Sequence, residues 1–454
     1  MKTMAHASVN IVGAGLAGAL LAVLLARRGY AVTLFERRSD PRQSQPERGR
    51  SINLALAARG MRALERAAVL EGIRPLLIPM RGRMVHELSG KVSLQAYGQR
   101  EHEVIYSVGR ADLNRVLIEE ALRHPGVSVE FNQQCLGADP ARNVLRLRDQ
   151  LAATEREVAL SVTIATDGAG SAVRSSLADR GLVTVREEWL DHDYKEFTIP
   201  AAAGRHALQR EALHIWPRGG FMLIALPNTD GSFTATLFLA RSGGTASFAA
   251  LTSPELAAQF FAREFPDAVP LMPEVRAEFA RNPQGQLGSV HAAPWQLGGQ
   301  LLLLGDAAHA IVPFHGQGMN AAFEDCLALD ALLDTHGSWE TAFGEFEALR
   351  RPNAAAISQM AVENYTEMRD TLLDPHYLRR KSIAMGLERR FPERFIPRYS
   401  MVMFHPEIPY AEALRRGGVQ AQILAELDGG DRGADSPLAA KLVGERLTPI
   451  TSAR

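Results

Sequence analysis

Gly13-Ala14-Gly15-Leu16-Ala17-Gly18 is the stretch that most constrains this chain. It follows a short apolar run, residues 8–12, and opens a run of helix formers, residues 16–28. A second apolar run, residues 31–36, ends in Glu36. Together they predict strand, tight turn, helix and parallel strand, the start of an α/β sheet. Gly13 suits the tight turn, Gly15 lets backbone approach a pyrophosphate, and Gly18 lets helix and strand pack closely. The helix start offers N–H groups and a positive dipole end, and Glu36 sits where a carboxylate can accept from ribose hydroxyls. Glycine turns of this pattern also occur without ligands. Strand, helix and acid together point to a dinucleotide, without separating FAD from NAD(P).

Composition narrows the classes. With 454 residues the chain has room for two or three domains. Lys plus Arg is 50 and Asp plus Glu is 51, a net charge of -1. That balance gives no reason to expect nucleic acid or an anionic membrane as partner. The two cysteines, Cys135 and Cys326, lie far apart. They exclude a disulfide scaffold, a structural zinc knuckle and a cysteine-ligated cluster, and they fit a reducing, cytoplasmic setting. The apolar run 11–26 is short for a membrane span and contains three glycines. Residues 438–454 contain no anchor-length apolar stretch, so no membrane anchor is expected.

Along the chain, residues 110–123 predict an amphipathic helix, and 127–131, 144–147 and 160–165 predict strands. Residues 41–49 read as a polar loop. From about 188 to 290 the texture changes to sheet, with strands expected at 214–217, 221–226 and 233–239. Residues 300–304 return to a buried strand, and 318–333 predict a long helix. Beyond 338 the pattern is helical, with breaks expected at Pro352, Pro375, Pro392, Pro397, Pro406 and Pro409.

Two further motifs favour flavin. The strand ending at Leu304 runs into Gly305-Asp306-Ala307-Ala308-His309, followed by Pro313-Phe314-His315-Gly316-Gln317-Gly318-Met319-Asn320 and a helix. Asp306 would leave the strand end aimed at a polyol such as a ribityl chain. The Gly316–Gly318 backbone would present N–H groups at a helix start, where reduced flavin carries negative charge. A second nucleotide fingerprint at 316–321 is the rival reading, but a long loop separates it from its strand. Thr166-Asp167-Gly168-Ala169-Gly170, after strand 162–165, is the third element; Asp167 alone would also serve as a turn or helix cap.

At this point the chain resembles the single-component flavoprotein monooxygenases, the p-hydroxybenzoate hydroxylase-like group, and within it the members that hydroxylate L-kynurenine. The resemblance is carried by Gly49-Arg50-Ser51-Ile52-Asn53-Leu54-Ala55-Leu56, Met80 to His86 (MRGRMVH), Ala212 to Pro217 (ALHIWP), Thr236-Leu237-Phe238-Leu239, Leu304 to Asn320, Glu363-Asn364-Tyr365 with Met368, and Arg394 to Val402 (RFIPRYSMV). It implies an α/β fold: an FAD-binding Rossmann-like domain of the glutathione-reductase/p-hydroxybenzoate hydroxylase type, an inserted antiparallel-sheet substrate domain, and a helical C-terminal region. The boundaries would be 1–72, 101–187 and 291–337 for the FAD domain, 73–100 and 188–290 for the substrate domain, and 338–454 for the helical cap.

The resemblance also implies roles. FAD would lie on Gly13, Gly15, Gly18, Glu36, Arg37, Arg38, Ala55, Arg110, Cys135, Asp306, Gly318, Met319 and Asn320. The substrate carboxylate would be held by Arg83, Tyr97, Asn364 and Tyr399. Leu213, Ile224, Leu226, Phe238, Pro313, Phe314, His315 and Met368 would line the ring pocket. Read without the family, these apolar residues are simply core and Arg83 a surface arginine. Cys135 and Thr166 stand where relatives often carry Leu and Ala. No residue is assigned as a catalytic acid or base and no metal is implied, because the flavin carries the chemistry. NADPH would reduce FAD, O2 would form a flavin C4a-hydroperoxide, and L-kynurenine would leave as 3-hydroxykynurenine. The expected assembly is a monomer or weak homodimer. The competing readings are another FAD-dependent aromatic hydroxylase, a flavin-binding protein without turnover, and a plain NAD-dependent dehydrogenase.

Overall fold

The computed structural model describes residues 8–43, 53–429 and 433–450. Residues 49–52 of the GRSINLAL stretch and 44–49 of the polar loop therefore lie outside the described residues. The chain forms two compact units. The first comprises Met1–Leu77, Val108–Leu190 and Gly288–Ala355; the second comprises Ile78–Ser107, Asp191–Leu287 and Ala356–Arg454.

The first unit is built on a six-stranded sheet in the order Gln296–Leu297, Leu301–Leu303, Val162–Ala165, Ser8–Val12, Ala31–Phe35, Val127–Glu130. All its pairs are parallel except the edge pair formed by the first two strands. This is the α/β sheet that the opening motif predicts. The helix Leu16–Arg27 is buried on almost every side and packs against helices Arg110–Leu122 and Gly318–Thr335. A helix apolar all round belongs inside a large core, which accounts for the run 11–26. Among the described residues, no helix is long and apolar enough to cross a membrane.

A three-stranded antiparallel sheet, Gln133–Asp139, Val144–Asp149 and Glu155–Ala159, also belongs to this unit. The long helix Trp339–Thr366 starts here as well. Its Trp339 ring lies 5.3 Å from Tyr30, and Phe346 lies 6.1 Å from Trp295. Pro352, expected to end a helix, sits inside this one. An interior proline costs about 3 kcal/mol. The buried Phe343, Phe346 and Arg350 just before it hold the helix in place against that cost. Pro375 and Pro437 instead occupy helix first turns, and Pro397 and Pro409 are helix N-caps.

The second unit carries most of a seven-stranded sheet, in the order Gln284–Ala293, Thr184–Ile199, Phe233–Ala240, Met222–Pro227, Leu213–Pro217, Gly82–His86, Val92–Ala96. The sheet is mixed rather than antiparallel throughout, because Leu213–Pro217 runs parallel to Gly82–His86. Those two strands come from separate chain segments, so no hairpin fixes their direction. The 16-residue strand Thr184–Ile199 escapes sequence reading because its first half is rich in charge and mostly exposed.

Strand alternation gives this sheet two distinct faces. One carries Trp216, Leu223, Ala225, Ala235 and Leu237, in one core with Phe260, Phe261 and Phe265 from helix Pro254–Glu264 and its end. The register places Arg83 and Leu213 side by side on the other face, followed by Ile215, Ile224 and Thr236. This face meets the C-terminal helices: Gln95 donates to the Leu372 carbonyl at 3.0 Å, and Gln99 to that of Met385 at 3.1 Å. The helices hold a small core of their own around Leu387, Phe395, Ile423 and Leu427.

Candidate active site: a backbone cradle and a buried arginine clamp

In the first unit the glycines divide the work as their positions require. Gly13 has φ +95°, a conformation that side chains rarely adopt, and a Cβ there would lie 2.8 Å from the Thr166 carbonyl oxygen. A Cβ on Gly18 would overlap the Gly13 carbonyl oxygen. Gly15 is different: apart from its own chain neighbours, nothing lies within 4 Å of where its Cβ would be. The cradle is therefore packed solid behind Gly13 and Gly18 and open in front of Gly15. Gly15 caps the helix without any side-chain hydrogen bond, so the first N–H groups face that opening. Thr166 is part of the construction, since its hydroxyl donates to the Gly13 carbonyl at 2.9 Å.

Glu36 is buried at the end of its strand. Its carboxylate accepts from the Ala14 N–H at 2.8 Å and from the Arg38 N–H and Nε at 2.9 and 2.8 Å. Burial pushes its pKa up, but Arg38 and these N–H groups outweigh that and hold it below the usual carboxylate range. Glu36 thus organises the glycine turn. Arg37, Arg38 and Arg110 are exposed. The Cys135 thiol is buried and pushed up to about 12 by desolvation first and by Asp167 next, so it is an inert wall rather than a nucleophile.

The second half of the cradle follows strand Leu301–Leu303. Asp306 is partly exposed and makes no hydrogen bond among the described residues. An acceptor left open at a strand end fits a polyol hydroxyl. The helix Gly318–Thr335 has no side-chain cap, and its first intrahelical bond comes from the Ala321 N–H to the Gln317 carbonyl. The N–H groups of Gly318, Met319 and Asn320 are thus without intrahelical acceptors. Gly316 is left-handed at φ +63°, with Ala55 2.9 Å from where its Cβ would stand. Asn320 is a tether more than a contact: its side chain accepts from the Ala57 N–H at 2.9 Å and donates to the Ala55 and Gly316 carbonyls, both at 2.8 Å. Phe314 and His315 are buried in the turn Pro313–His315, while Pro313 itself is exposed.

Behind this loop stands a buried ion network that sequence reading missed. Fully buried Asp325 accepts from His309 Nε2 and Arg350 Nε, both at 2.6 Å, and from the Gly305 N–H at 3.2 Å. Burial raises its pKa, and the charges of His309 and Arg350 more than reverse this. The network fixes the two residues that bracket Asp306 to the helix. A short acid spacing after GQGMN (Glu324-Asp325) was its only sequence signal.

In the second unit the sheet face and the helices bring Arg83, Tyr97, Asn364, Met368 and Tyr399 together. Arg83 is 4% exposed. Its Nη2 donates to Asn364 Oδ1 at 3.2 Å, and its guanidinium carbon lies 5.0 Å from the Tyr399 ring centroid and 5.9 Å from that of Tyr97. The two tyrosine rings stack at 5.6 Å. Burial keeps both phenols protonated, hence able to donate. Asn364 donates to the Met368 sulfur at 3.3 Å, a weak acceptor that a better one could replace. Leu213, Ile224, Leu226 and Phe238 extend the same sheet face as an apolar floor. Pro313, Phe314 and His315 belong to the other unit.

One partner of Arg83 was not foreseen. Arg83 Nη1 donates to Glu367 Oε1 at 2.8 Å, and the Tyr377 hydroxyl donates to the same oxygen at 2.9 Å. Glu367 starts a single π-helical turn, Glu367–Thr371, one turn after Asn364. Its pKa is raised by burial but lowered further by Arg83, so it is ionised. Lys381 completes the cluster, pushed down to about 8 by burial and then by Arg83. The hint in the sequence was an acid three residues after Asn364, on the same helical face.

Comparison with known proteins shows the family. A family model described as an FAD binding domain matches residues 6–342. A kynurenine 3-monooxygenase from Stenotrophomonas maltophilia is 47% identical over 436 residues, covering 95% of each chain. One from Xanthomonas euvesicatoria is 45% identical over 457 residues, covering 100% of both. Among solved structures, a 2-methyl-3-hydroxypyridine-5-carboxylic acid oxygenase shares the fold with a TM-score of 0.66 at 18% identity, over 82% of this chain and 95% of its own.

Proposed function

Because this chain belongs to the FAD-binding flavoprotein family of the kynurenine 3-monooxygenases, we propose that it converts L-kynurenine to 3-hydroxykynurenine with FAD, NADPH and O2. The observation that carries the reading is Arg83: a buried guanidinium, ringed by two phenols and an amide, at the head of an apolar sheet face. That is an anchor for a carboxylate borne on an aromatic body. Arg83 presents a fork that a carboxylate can engage in two places, and the tyrosines and Asn364 add neutral donors. Leu213, Ile224, Leu226, Phe238 and Met368 take the ring and exclude water, which would otherwise divert activated oxygen to peroxide.

The cradle fits FAD. Leu16, Ala17 and Gly18 N–H groups would receive the pyrophosphate in front of Gly15, Glu36 the ribose, and Asp306 a ribityl hydroxyl. The helix start at Gly318–Asn320 would face the electron-rich edge of the reduced ring. Bound FAD would supply the redox chemistry between NADPH and O2. Overall, L-kynurenine, NADPH, a proton and O2 give 3-hydroxykynurenine, NADP+ and water. Arg83 fixes the register of the ring during this chemistry, a geometric rather than acid–base contribution. The test is L-kynurenine-stimulated NADPH oxidation by the yellow holoenzyme, with product mass and peroxide measured together. NADPH oxidation that L-kynurenine does not stimulate, or that yields only peroxide, overturns the reading.

A further inference from the structure

A clamp built only for a carboxylate has no use for a carboxylate of its own. Yet Glu367 stands 2.8 Å from Arg83, ionised, with Tyr377 fixing the same oxygen. Its second oxygen takes no hydrogen bond among the described residues, and its side chain is 29% exposed. For a simple aryl acid this arrangement is adverse. Two like charges about 5 Å apart repel by roughly 3 kcal/mol at an effective dielectric near 20. An α-amino acid is another matter, because its ammonium and carboxylate hang on one carbon. Such a zwitterion is an ion pair of the opposite sense, so it can lie head to tail against Arg83 and Glu367.

We propose that Glu367 is a specificity-determining residue that receives the substrate's α-ammonium while Arg83 holds its carboxylate. This rests on Arg83 as the carboxylate anchor, and goes beyond it by naming the ligand class: zwitterionic α-amino acids in preference to aryl keto acids of equal size. The π-turn beginning at Glu367 provides the means, since it follows the regular helix that carries Asn364 and presents the acid beside the same guanidinium. Specificity here is rejection as much as attraction. A ligand lacking the ammonium leaves Glu367 facing its carboxylate with nothing between them.

The experiment titrates the flavin absorbance of the holoenzyme with L-kynurenine and with its des-amino counterpart, 4-(2-aminophenyl)-4-oxobutanoate. Wild type, Glu367→Gln and Glu367→Asp are compared, with flavin content and circular dichroism checking the fold. Wild type should prefer L-kynurenine by more than about tenfold. Glu367→Gln should weaken L-kynurenine by about tenfold or more, leave the des-amino ligand unchanged or tighter, and so abolish the preference; Glu367→Asp should restore part of it. Equal weakening of both ligands would show that Glu367 only orients Arg83, and overturns the proposal. Equal tightening of both would show that it merely competes for the guanidinium, and also overturns it. Wild type that binds neither ligand would instead remove the kynurenine reading itself.

Discussion

In the proposed function the cradle and the clamp would each hold an anionic ligand, with opposite materials. The cradle uses backbone. Its donors are N–H groups at two helix starts, and its shape comes from atoms that Gly13, Gly15 and Gly18 lack. The clamp uses side chains: a guanidinium, two phenols, an amide and an acid, gathered from strand Gly82–His86, the end of its neighbour Val92–Ala96, and the helical segments that carry Asn364, Glu367 and Tyr399. A backbone site tolerates almost any neighbour that keeps the turn. A side-chain site depends on a register, here Leu213 opposite Arg83, that one residue of slip would turn to the wrong face.

The comparison breaks most readily behind the cradle. Asp325→Ala would strand Arg350 and His309 without their shared carboxylate, and should destabilise the protein by roughly 3–5 kcal/mol. Thermal or urea unfolding of the apoprotein measures this, and a shift below 1 kcal/mol would mean the loop stands without its ion network. Next come the glycines. Gly18→Ala should destabilise by about 3 kcal/mol through overpacking against Gly13. Gly15→Ala should leave the unfolding midpoint unchanged and weaken FAD binding by about tenfold or more, because that space is open to a ligand. Equal effects of the two on stability would deny the division between packed and open glycines.

The clamp should respond to single side chains. Arg83→Ala is expected to lose about 2 kcal/mol or more of L-kynurenine affinity while retaining FAD; a near-normal dissociation constant would refute its role. The smallest effect concerns Lys381, whose folded-state pKa falls from 10.5 to about 8. The unfolded chain then binds the extra proton between those values, so this residue's penalty on stability is full below pH 8 and gone above 10.5. Lys381→Met should therefore stabilise the protein at pH 7 by about 1–2 kcal/mol, with the gain vanishing towards pH 10.5. A gain independent of pH would assign it to packing instead.

Legibility followed distance along the chain. Strand Ser8–Val12, the glycine turn and helix Leu16–Arg27 were readable because each contact closes within a few residues. The same holds for Asp306 and the helix start at Gly318. Glu367 was not readable. It lies 284 residues from Arg83, and nothing local separates it from any helical acid. The strand Thr184–Ile199 was hidden because its charged first half is exposed and so lacks the apolar alternation that marks a half-buried strand. Pro352 misled in the other direction: a local breaker was overridden by buried turns beside it.

Sequence alone determined the nucleotide-binding sheet, the glycine geometry and the acid after each strand, because those depend on steric rules acting between near neighbours. Only the tertiary structure decided that Arg83 is buried rather than solvated, that Asn320 tethers, and that an acid faces the guanidinium. The physical reason is that a charge acquires its partner and its dielectric surroundings only when segments far apart in the chain are packed side by side.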